Sequence, residues 1–431
     1  MATAATTVRY DVVVVGASFA GLAFATAAAT RGLRVLVVER DAEIGQVVRT
    51  TGVLFSDVFD VMDIPSRFLM NAVRQIRLRA PQHEPITIAS QAFRFYMADV
   101  AGMLRWMADD AREKGAEIRC AAPFVAAERD ASGWMRVTLG APATQGNGHA
   151  SRAPQATVEA RLLIGADGAR SRVAEALDLD RNTRFLAGAE WLVEGVEIAR
   201  DTFLLVMDQQ FAPGYCMWLA PHGDIAALGV AGQPRAYSPT TSLQAAQTAF
   251  AGLAELGSAR VVERKAGVIP VGGRLRRVYR DDARGHALLL GDAAGLCGAA
   301  TGGGIYPALV TAKLAAHATA NAVLNGTPGA IQGYLKNLTQ AGRLGQYLQI
   351  EDWLRWVLDR MGSNADLGML YGLFATAEGQ RMLQSTLLET PIIGMDGSFF
   401  GLLRSLLGRH PSLYGAAFKA ALRRVAVPRR A

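Results

Sequence analysis

Cysteine is scarce in this chain of 431 residues. Cys120, Cys216 and Cys297 stand far apart, with no CxxC pair and no metal-ligand spacing. That excludes a disulfide scaffold and fits a reducing compartment. Lysine is scarce too: Lys114, Lys265, Lys313, Lys336 and Lys419 are the only five, and the rest of the 45 basic residues are Arg. A GC-rich genome produces that bias by itself, so the net charge of +7 marks no anionic partner, and no nucleic acid is expected. His83, His149, His222, His286, His317 and His410 show no ligand pairing, so no metal is expected. Charged residues are only 19% against 51% hydrophobic, which excludes a disordered chain. The opening Met1 to Thr7 has neither a basic region nor a separate apolar core, so no secretion signal is predicted. Val12 to Thr30 carries no charge and is long enough to cross a bilayer. Its interior argues otherwise, because a β-branched run gives way to a glycine turn and then to an Ala-rich helix. No transmembrane segment is predicted.

What is present begins at Tyr10. Asp11 to Val15 is a short β-branched run suited to a strand buried on both faces. Gly16-Ala-Ser18-Phe-Ala-Gly21 follows, then a helix that stops at Arg31-Gly32, then a second strand, Arg34 to Glu39. Gly16 permits the tight turn, Gly21 lets helix and strand approach, and the helix N-terminus suits a pyrophosphate. Glu39 stands about 20 residues after the first glycine, where a carboxylate meets ribose hydroxyls. Ser18 replaces the usual middle glycine, and its hydroxyl is expected to face the pyrophosphate. One dinucleotide is therefore held durably. Gly272-Gly273 and Gly302-Gly303-Gly304 lack the strand before and the acid after, so any second cofactor only visits.

At this length two intertwined domains are the natural expectation. Asp99 to Ile118 is helical in period and ends at Lys114-Gly115. Trp134 to Leu139 and Val158 to Ile164 read as strands around an exposed loop from Gly140 to Ala156. Glu190 to Ala231 reads as successive antiparallel strands, and Ala287 to Leu290 as a short buried one. From Ile305 onward the pattern is helical, with Ile350, Trp353, Leu354, Val357, Leu358 and Met361 at helical spacing.

Two distant segments narrow the dinucleotide to FAD. Leu163-Ile-Gly165-Ala-Asp167-Gly168 runs a strand into Asp-Gly. Leu288-Leu-Leu-Gly291-Asp292-Ala-Ala-Gly295 is followed by Thr301-Gly302-Gly303-Gly304-Ile305. A carboxylate just after a buried strand, Asp292, can accept ribityl hydroxyls. The glycines at 302–304 let a helix begin against a flat ring, where its free N–H groups favour negative charge. With the opening turn, these segments resemble the flavoprotein superfamily of aromatic hydroxylases, flavin halogenases and geranylgeranyl reductases, over roughly Tyr10 to Asn321. The stretch Gly295 to Ile305 is more similar to the geranylgeranyl reductase-like branch than to the hydroxylases. Pro213-Gly-Tyr215-Cys-Met-Trp218-Leu-Ala-Pro221 resembles both the reductase YxWxFP and the halogenase WxWxIP motifs. Cys216 and Ala220 depart from them, and Tyr215 is displaced by one position.

The resemblance implies an α/β fold with added antiparallel β. A Rossmann-like FAD-binding domain of the glutathione-reductase type spans 1–85, 98–185 and 265–335. An inserted antiparallel-sheet substrate domain spans 86–97 and 186–264, and a helical C-terminal region spans 336–431. The cofactor candidates are Gly16, Ser18, Gly21, Glu39, Arg40, Arg49, Asp167, Gly168, Gly291, Asp292, Gly302, Gly303 and Gly304. Tyr215 and Trp218 are the substrate-wall candidates; no catalytic acid can be named. Arg49-Thr50-Thr51-Gly52 is similar to the reductase Arg-Cys-before-Gly segment, with Thr50 at the reactive Cys position. The helix Arg that the family often carries near residue 100 is Val100, and Ala299 stands where a Pro is expected. No suitably placed Lys marks a halogenase.

The implied activity is an FAD-dependent oxidoreductase, reduced by a transient NAD(P)H, that reduces C=C bonds of a hydrophobic isoprenoid- or lipid-like substrate. The alternative is an oxygen-using monooxygenase or halogenase, and the third reading a non-catalytic flavin sensor or interaction protein. Phe399, Leu402, Leu403, Leu406 and Leu407 make an amphipathic stripe in an Arg-rich tail. That tail reads either as a helix packed on the domain with solvated Arg ends or as a peripheral contact with the inner face of the membrane, for an otherwise cytoplasmic protein.

Overall fold

A computed structural model describes residues 8–89, 95–141, 154–234, 237–340 and 343–384. The amphipathic stripe Phe399–Leu407 lies outside the described residues, as does most of the loop expected between Gly140 and Ala156.

The opening run folds as a strand, Arg9–Val15, parallel to Val35–Val38 on one side and to Pro154–Gly165 on the other. Val12, Val13 and Val14 are fully buried, as a strand covered on both faces requires. The five parallel strands run in the order Glu117–Arg119, Val35–Val38, Arg9–Val15, Pro154–Gly165 and Gly285–Leu289. Antiparallel strands Phe124–Arg129, Met135–Gly140 and Tyr279–Asp282 complete an eight-stranded sheet. The helix Phe19–Ala29 covers it and packs against Ile305–Val323, the long helix that follows the glycine run. The helix Val100–Glu113 starts where the Asp99 carboxylate accepts the Gly102 N–H at 2.9 Å.

The second layer is a seven-stranded sheet. Its order is Arg260–Pro270, Phe185–Glu194, Ile225–Gly232, Met217–His222, Thr202–Val206, Gln75–Arg79 and Ile86–Ala89. All pairs are antiparallel except Thr202–Val206 with Gln75–Arg79. The boundary expected at 85/86 falls between two strands that pair with each other, and that at 264/265 falls inside the edge strand. Hairpin pairing keeps both partners in one sheet, whatever the composition of the segment between them. One face, carrying Met217, Leu219 and Leu228, packs with Leu243 and Phe250 of two short helices. The other, carrying Leu186, Trp218, Ala220 and Ala227, packs with Ala299 just before the glycine run. The site lies on that second face.

Helices Ala330–Gln340, Arg343–Leu358, Asn364–Phe374 and Ala377–Gln384 follow. No helix of the described residues is long and apolar enough to cross a membrane. Val12 to Thr30 is strand, turn and helix, as its internal pattern requires.

Candidate functional site

The opening turn is fixed by two close approaches. Gly16 has φ +102°, and a Cβ on it would stand 2.4 Å from the Ala166 carbonyl oxygen. A Cβ on Gly21 would stand 1.9 Å from the Gly16 carbonyl oxygen. These contacts bring the first turn and the Asp167-Gly168 segment together. Ser18 caps the helix Phe19–Ala29 in extended backbone, φ −111°, where a side chain costs no strain. Its hydroxyl makes no capping bond and the residue is exposed. The helix N-terminus therefore keeps free N–H donors beside an available hydroxyl, a combination suited to an anionic pyrophosphate.

Glu39 also holds the turn itself. Its Oε2 accepts the Ala17 N–H at 2.8 Å and its Oε1 the Asp41 N–H at 3.1 Å, leaving one lone pair on each oxygen for a hydroxyl. Arg40 is exposed and stands 3.6 Å from Asp41. Arg49 lies in the field of Arg40, Asp41 and Glu39, and desolvation followed by the like charge of Arg40 lowers its pKa. The backbone and Cβ of Arg49 pass beneath Gly267 of the substrate sheet, so this arginine stands where the two layers meet.

Asp167 is engaged by its own helix. It accepts the Ser171 hydroxyl at 2.6 Å and the N–H groups of Arg172 and Val173 at 2.7 and 3.1 Å. Gly168 next to it, at φ +81°, faces open space. Asn182 Nδ2 donates to the Ala169 carbonyl at 3.0 Å and to the Asp292 carbonyl at 2.8 Å, tying the Asp-Gly segment to the Gly-Asp segment.

Asp292 differs from Asp167. Its carboxylate makes no hydrogen bond to the described residues, and burial raises its pKa to about 6. Gly291 packs against Ala20 of the first helix, and a Cβ on Gly304 would stand 3.1 Å from Asp292 Oδ1. The partly exposed, unpartnered carboxylate thus sits at the N-terminus of Ile305–Val323, which has no side-chain cap. A hydroxylated chain beside Asp292 would satisfy it, and a flat electron-poor ring would meet the free N–H groups.

The glycine run is gripped from above by residues whose role the sequence did not reveal. Tyr347, Glu351 and Arg355 lie on one face of the helix Arg343–Leu358, at i, i+4 and i+8. Glu351 Oε2 accepts the N–H groups of Ala300 and Thr301 at 2.8 and 2.9 Å, and Oε1 accepts the Thr301 hydroxyl at 2.9 Å. Tyr347 donates to the Gly303 carbonyl at 3.0 Å. Arg355, 2% exposed, donates to the Gly214 carbonyl at 2.8 Å and to Asp359 at 3.0 Å. The i, i+4 spacing was the available signal, but the partners are backbone groups from 44 to 141 residues away.

The two substrate-wall candidates separate. The Tyr215 hydroxyl donates to the Thr301 carbonyl, so Tyr215 braces the cofactor loop. Trp218 lies in the strand Met217–His222, and its ring fills the space over Gly229, where a Cβ would come within 2.0 Å. Trp218 Nε1 donates to Glu190 Oε2 at 3.1 Å, and the Thr51 hydroxyl donates to the same oxygen at 2.6 Å.

The chain matches the FAD binding domain family over residues 9–329. It is 27% identical over 323 residues to a digeranylgeranylglycerophospholipid reductase of Methanocaldococcus jannaschii, covering 73% of this chain and 78% of that one. It is 28% identical over 365 residues to a digeranylgeranylglycerophospholipid reductase of Methanothermobacter thermautotrophicus, covering 82% and 89%. Its fold is similar to a geranylgeranyl bacteriochlorophyll reductase-like protein of Thermoplasma acidophilum, with TM-score 0.77, 20% identity and coverage of 96% and 99%. A flavin-dependent brominase shares the fold at TM-score 0.64 and 15% identity, covering 90% of this chain and 94% of that one. The chain belongs to the FAD binding domain family and is an FAD-dependent oxidoreductase, similar in sequence and fold to the reductases named above.

Proposed function

We propose that this enzyme reduces carbon–carbon double bonds in an isoprenoid lipid, with NAD(P)H as the transient donor of reducing equivalents. The observation that carries the reading is the apolar sheet face around Trp218 and Ala220, which is turned toward the loop that precedes the cofactor-facing helix. An alkenyl chain matches the chemistry of that face, and the two archaeal relatives bear the names of reductases of such lipids.

FAD when bound supplies hydride to the substrate and accepts it from the donor. The residues present fit it. The first helix N-terminus and Ser18 would hold the pyrophosphate, Glu39 and Arg49 the adenosine end, and Asp292 would accept the hydroxyls of the linking chain. The uncapped N–H groups at Gly304 and Ile305 would favour negative charge on the bound ring. Tyr347, Glu351 and Tyr215 hold the loop in the geometry that aims those groups. Trp218 and its apolar neighbours exclude water and position the alkene. The Arg-rich tail would bring the enzyme to an anionic membrane surface where such lipids reside.

The decisive experiment mixes dithionite-reduced holoenzyme with digeranylgeranylglyceryl phospholipid without oxygen. Flavin reoxidation with hydrogenated lipid as product supports the reading. Product formed strictly with oxygen overturns it in favour of a monooxygenase.

A further inference from the structure

On the sheet face turned to the cofactor loop, a buried ion pair stands beside the apolar stretch around Trp218. Glu190 and Lys265 are directly paired across neighbouring strands, and Glu190 is in turn opposite Gly229, beside Trp218. Lys265 Nζ stands 3.7 Å from Glu190 Oε1, with side chains only 11% and 7% exposed. That distance is too long for a hydrogen bond. Glu190 Oε1 is buried without a hydrogen-bond partner, and Lys265 donates none to the described residues. The other oxygen, Oε2, is held by Thr51 and Trp218.

A buried pair of this kind costs desolvation on both sides, and incomplete hydrogen bonding leaves that cost unrecovered. Purely structural duty explains half of it: Glu190 anchors Trp218 and the Thr51 loop. It does not require the ammonium of Lys265, which donates no hydrogen bond to the described residues and keeps an opening to solvent. Lys265 lies on the edge strand with its side chain 11% exposed, so solvent protons can reach it at the sheet edge. Two residues along the same face, Gly267 packs over Arg49, and four along, Ile269 stands 3.5 Å from a Cβ position on Gly302. The idle ammonium therefore shares a wall with both cofactor-binding segments.

We infer that the Lys265–Glu190 pair is the proton-donating site of the substrate-facing wall, with Lys265 as the acid and Glu190 as the residue that orients it. The inference rests on the double-bond reductase reading. One alkene carbon accepts hydride from reduced FAD, and the other takes a proton from Lys265 Nζ. The π bond is lost, two C–H bonds form, and FAD is left oxidised. Lysine is left as a neutral amine and recovers its proton from solvent at the sheet edge. Coupling the two transfers avoids a free carbon ion against an apolar wall, and Lys265 is the ammonium the described residues place on this face beside Trp218. The groups facing the pair are Glu263 on its own strand and His222 on the strand of Trp218, with Asp99 beyond. His222 is held neutral by burial and then by Lys265 itself, so it cannot supply the proton at neutral pH.

The test uses the full holoenzyme and Lys265→Met, Lys265→Arg and Glu190→Gln. All three are expected to retain FAD and to be reduced by dithionite at the wild-type rate. Anaerobic reoxidation by digeranylgeranylglyceryl phospholipid should slow about 100-fold or more in Lys265→Met and recover in part in Lys265→Arg. The solvent deuterium isotope effect on that step, present in the wild type, should grow in Lys265→Arg. Reoxidation of Lys265→Met at the wild-type rate, with the isotope effect unchanged, overturns the assignment. A second readout needs no turnover: in the oxidised enzyme the lipid should shield Lys265 from reductive methylation, scored by mass spectrometry, while Lys313 stays reactive. Equal labelling with and without lipid also overturns it. A wild type inert to the lipid without oxygen but active with it overturns the reductase reading instead, and is told apart by that pattern.

Discussion

Glu351 accepts both the backbone N–H and the hydroxyl of Thr301, each at 2.9 Å, and so one side chain fixes the start of the glycine run from the C-terminal helices. The N-terminus of Ile305–Val323 depends on that grip for its aim. Burial raises the pKa of Glu351 against these donors, so the carboxylate is held by hydrogen bonds alone. Glu351→Ala should strand two buried N–H groups and a hydroxyl, at about 2 kcal/mol for each group left unpaired. The expected outcome is a lowered melting temperature and loss of FAD on gel filtration. Glu351→Gln, which keeps an acceptor oxygen, should retain FAD. Equal FAD retention in wild type and Glu351→Ala would refute the bracing role.

Asp292 gives a pH prediction with a definite sign. Its pKa is raised to about 6 in the fold, above its ordinary value, so the protein without FAD carries a penalty once the carboxyl ionises. The penalty is absent below about pH 4, grows through pH 6, and amounts to about 3 kcal/mol at neutral pH. The cofactor-free protein should therefore melt higher at pH 5 than at pH 7.5. Asp292→Asn should flatten that dependence while weakening FAD binding about tenfold or more. Differential scanning calorimetry of FAD-stripped protein checks the first half and fluorescence titration the second.

Ser18 and Gly21 should respond in opposite ways. Ser18→Gly relieves no strain, because φ −111° is open to any residue, and should change stability by a few tenths of a kcal/mol. FAD binding should weaken only by the loss of one hydroxyl. Gly21→Ala must push its Cβ away from the Gly16 carbonyl and should cost about 3 kcal/mol. Purified Gly21→Ala is expected to be colourless. A yellow, normally melting Gly21→Ala protein would show that the turn can relax.

Trp218 can be tested without emptying its place. Trp218→Phe keeps a ring over Gly229 but removes the donor to Glu190, leaving Thr51 alone on that oxygen. Turnover of the isoprenoid lipid should fall more than FAD affinity, since the change lies on the sheet and not in the cofactor cradle. Gly229→Ala should displace the ring altogether and reduce turnover further. A change in FAD affinity equal to the change in turnover would place Trp218 in cofactor binding instead.

Local pattern made much of this architecture legible. Gly16, Gly21 and Glu39 stand at fixed distances along one strand–turn–helix–strand unit, and nearest-neighbour sterics decide such a unit wherever it occurs. The Asp-Gly and Gly-Asp segments were readable for the same reason. The residues that complete the site were not. Asn182 joins two backbone carbonyls more than a hundred positions apart, and Tyr347, Glu351 and Arg355 bond to main-chain groups that any sequence presents. Nothing in a partner's side chain advertises such a contact.

Tyr215 shows the same limit from the other side. Its aromatic-and-Pro context reads as substrate wall, yet its hydroxyl braces the cofactor loop at Thr301. The strand Gln75–Arg79 joins the substrate sheet because Thr202–Val206, far along the chain, lies parallel to it. By itself the sequence determined the cofactor and the turn that holds it, because glycine φ angles, strand burial and helix N-termini act over a few residues. Only the tertiary structure decided which carboxylate stays unpartnered, which tyrosine is spent on backbone, and that Lys265 meets Glu190 beside Trp218. Strand register and sheet order bring those groups together, and both are set by the cooperative packing of the whole chain.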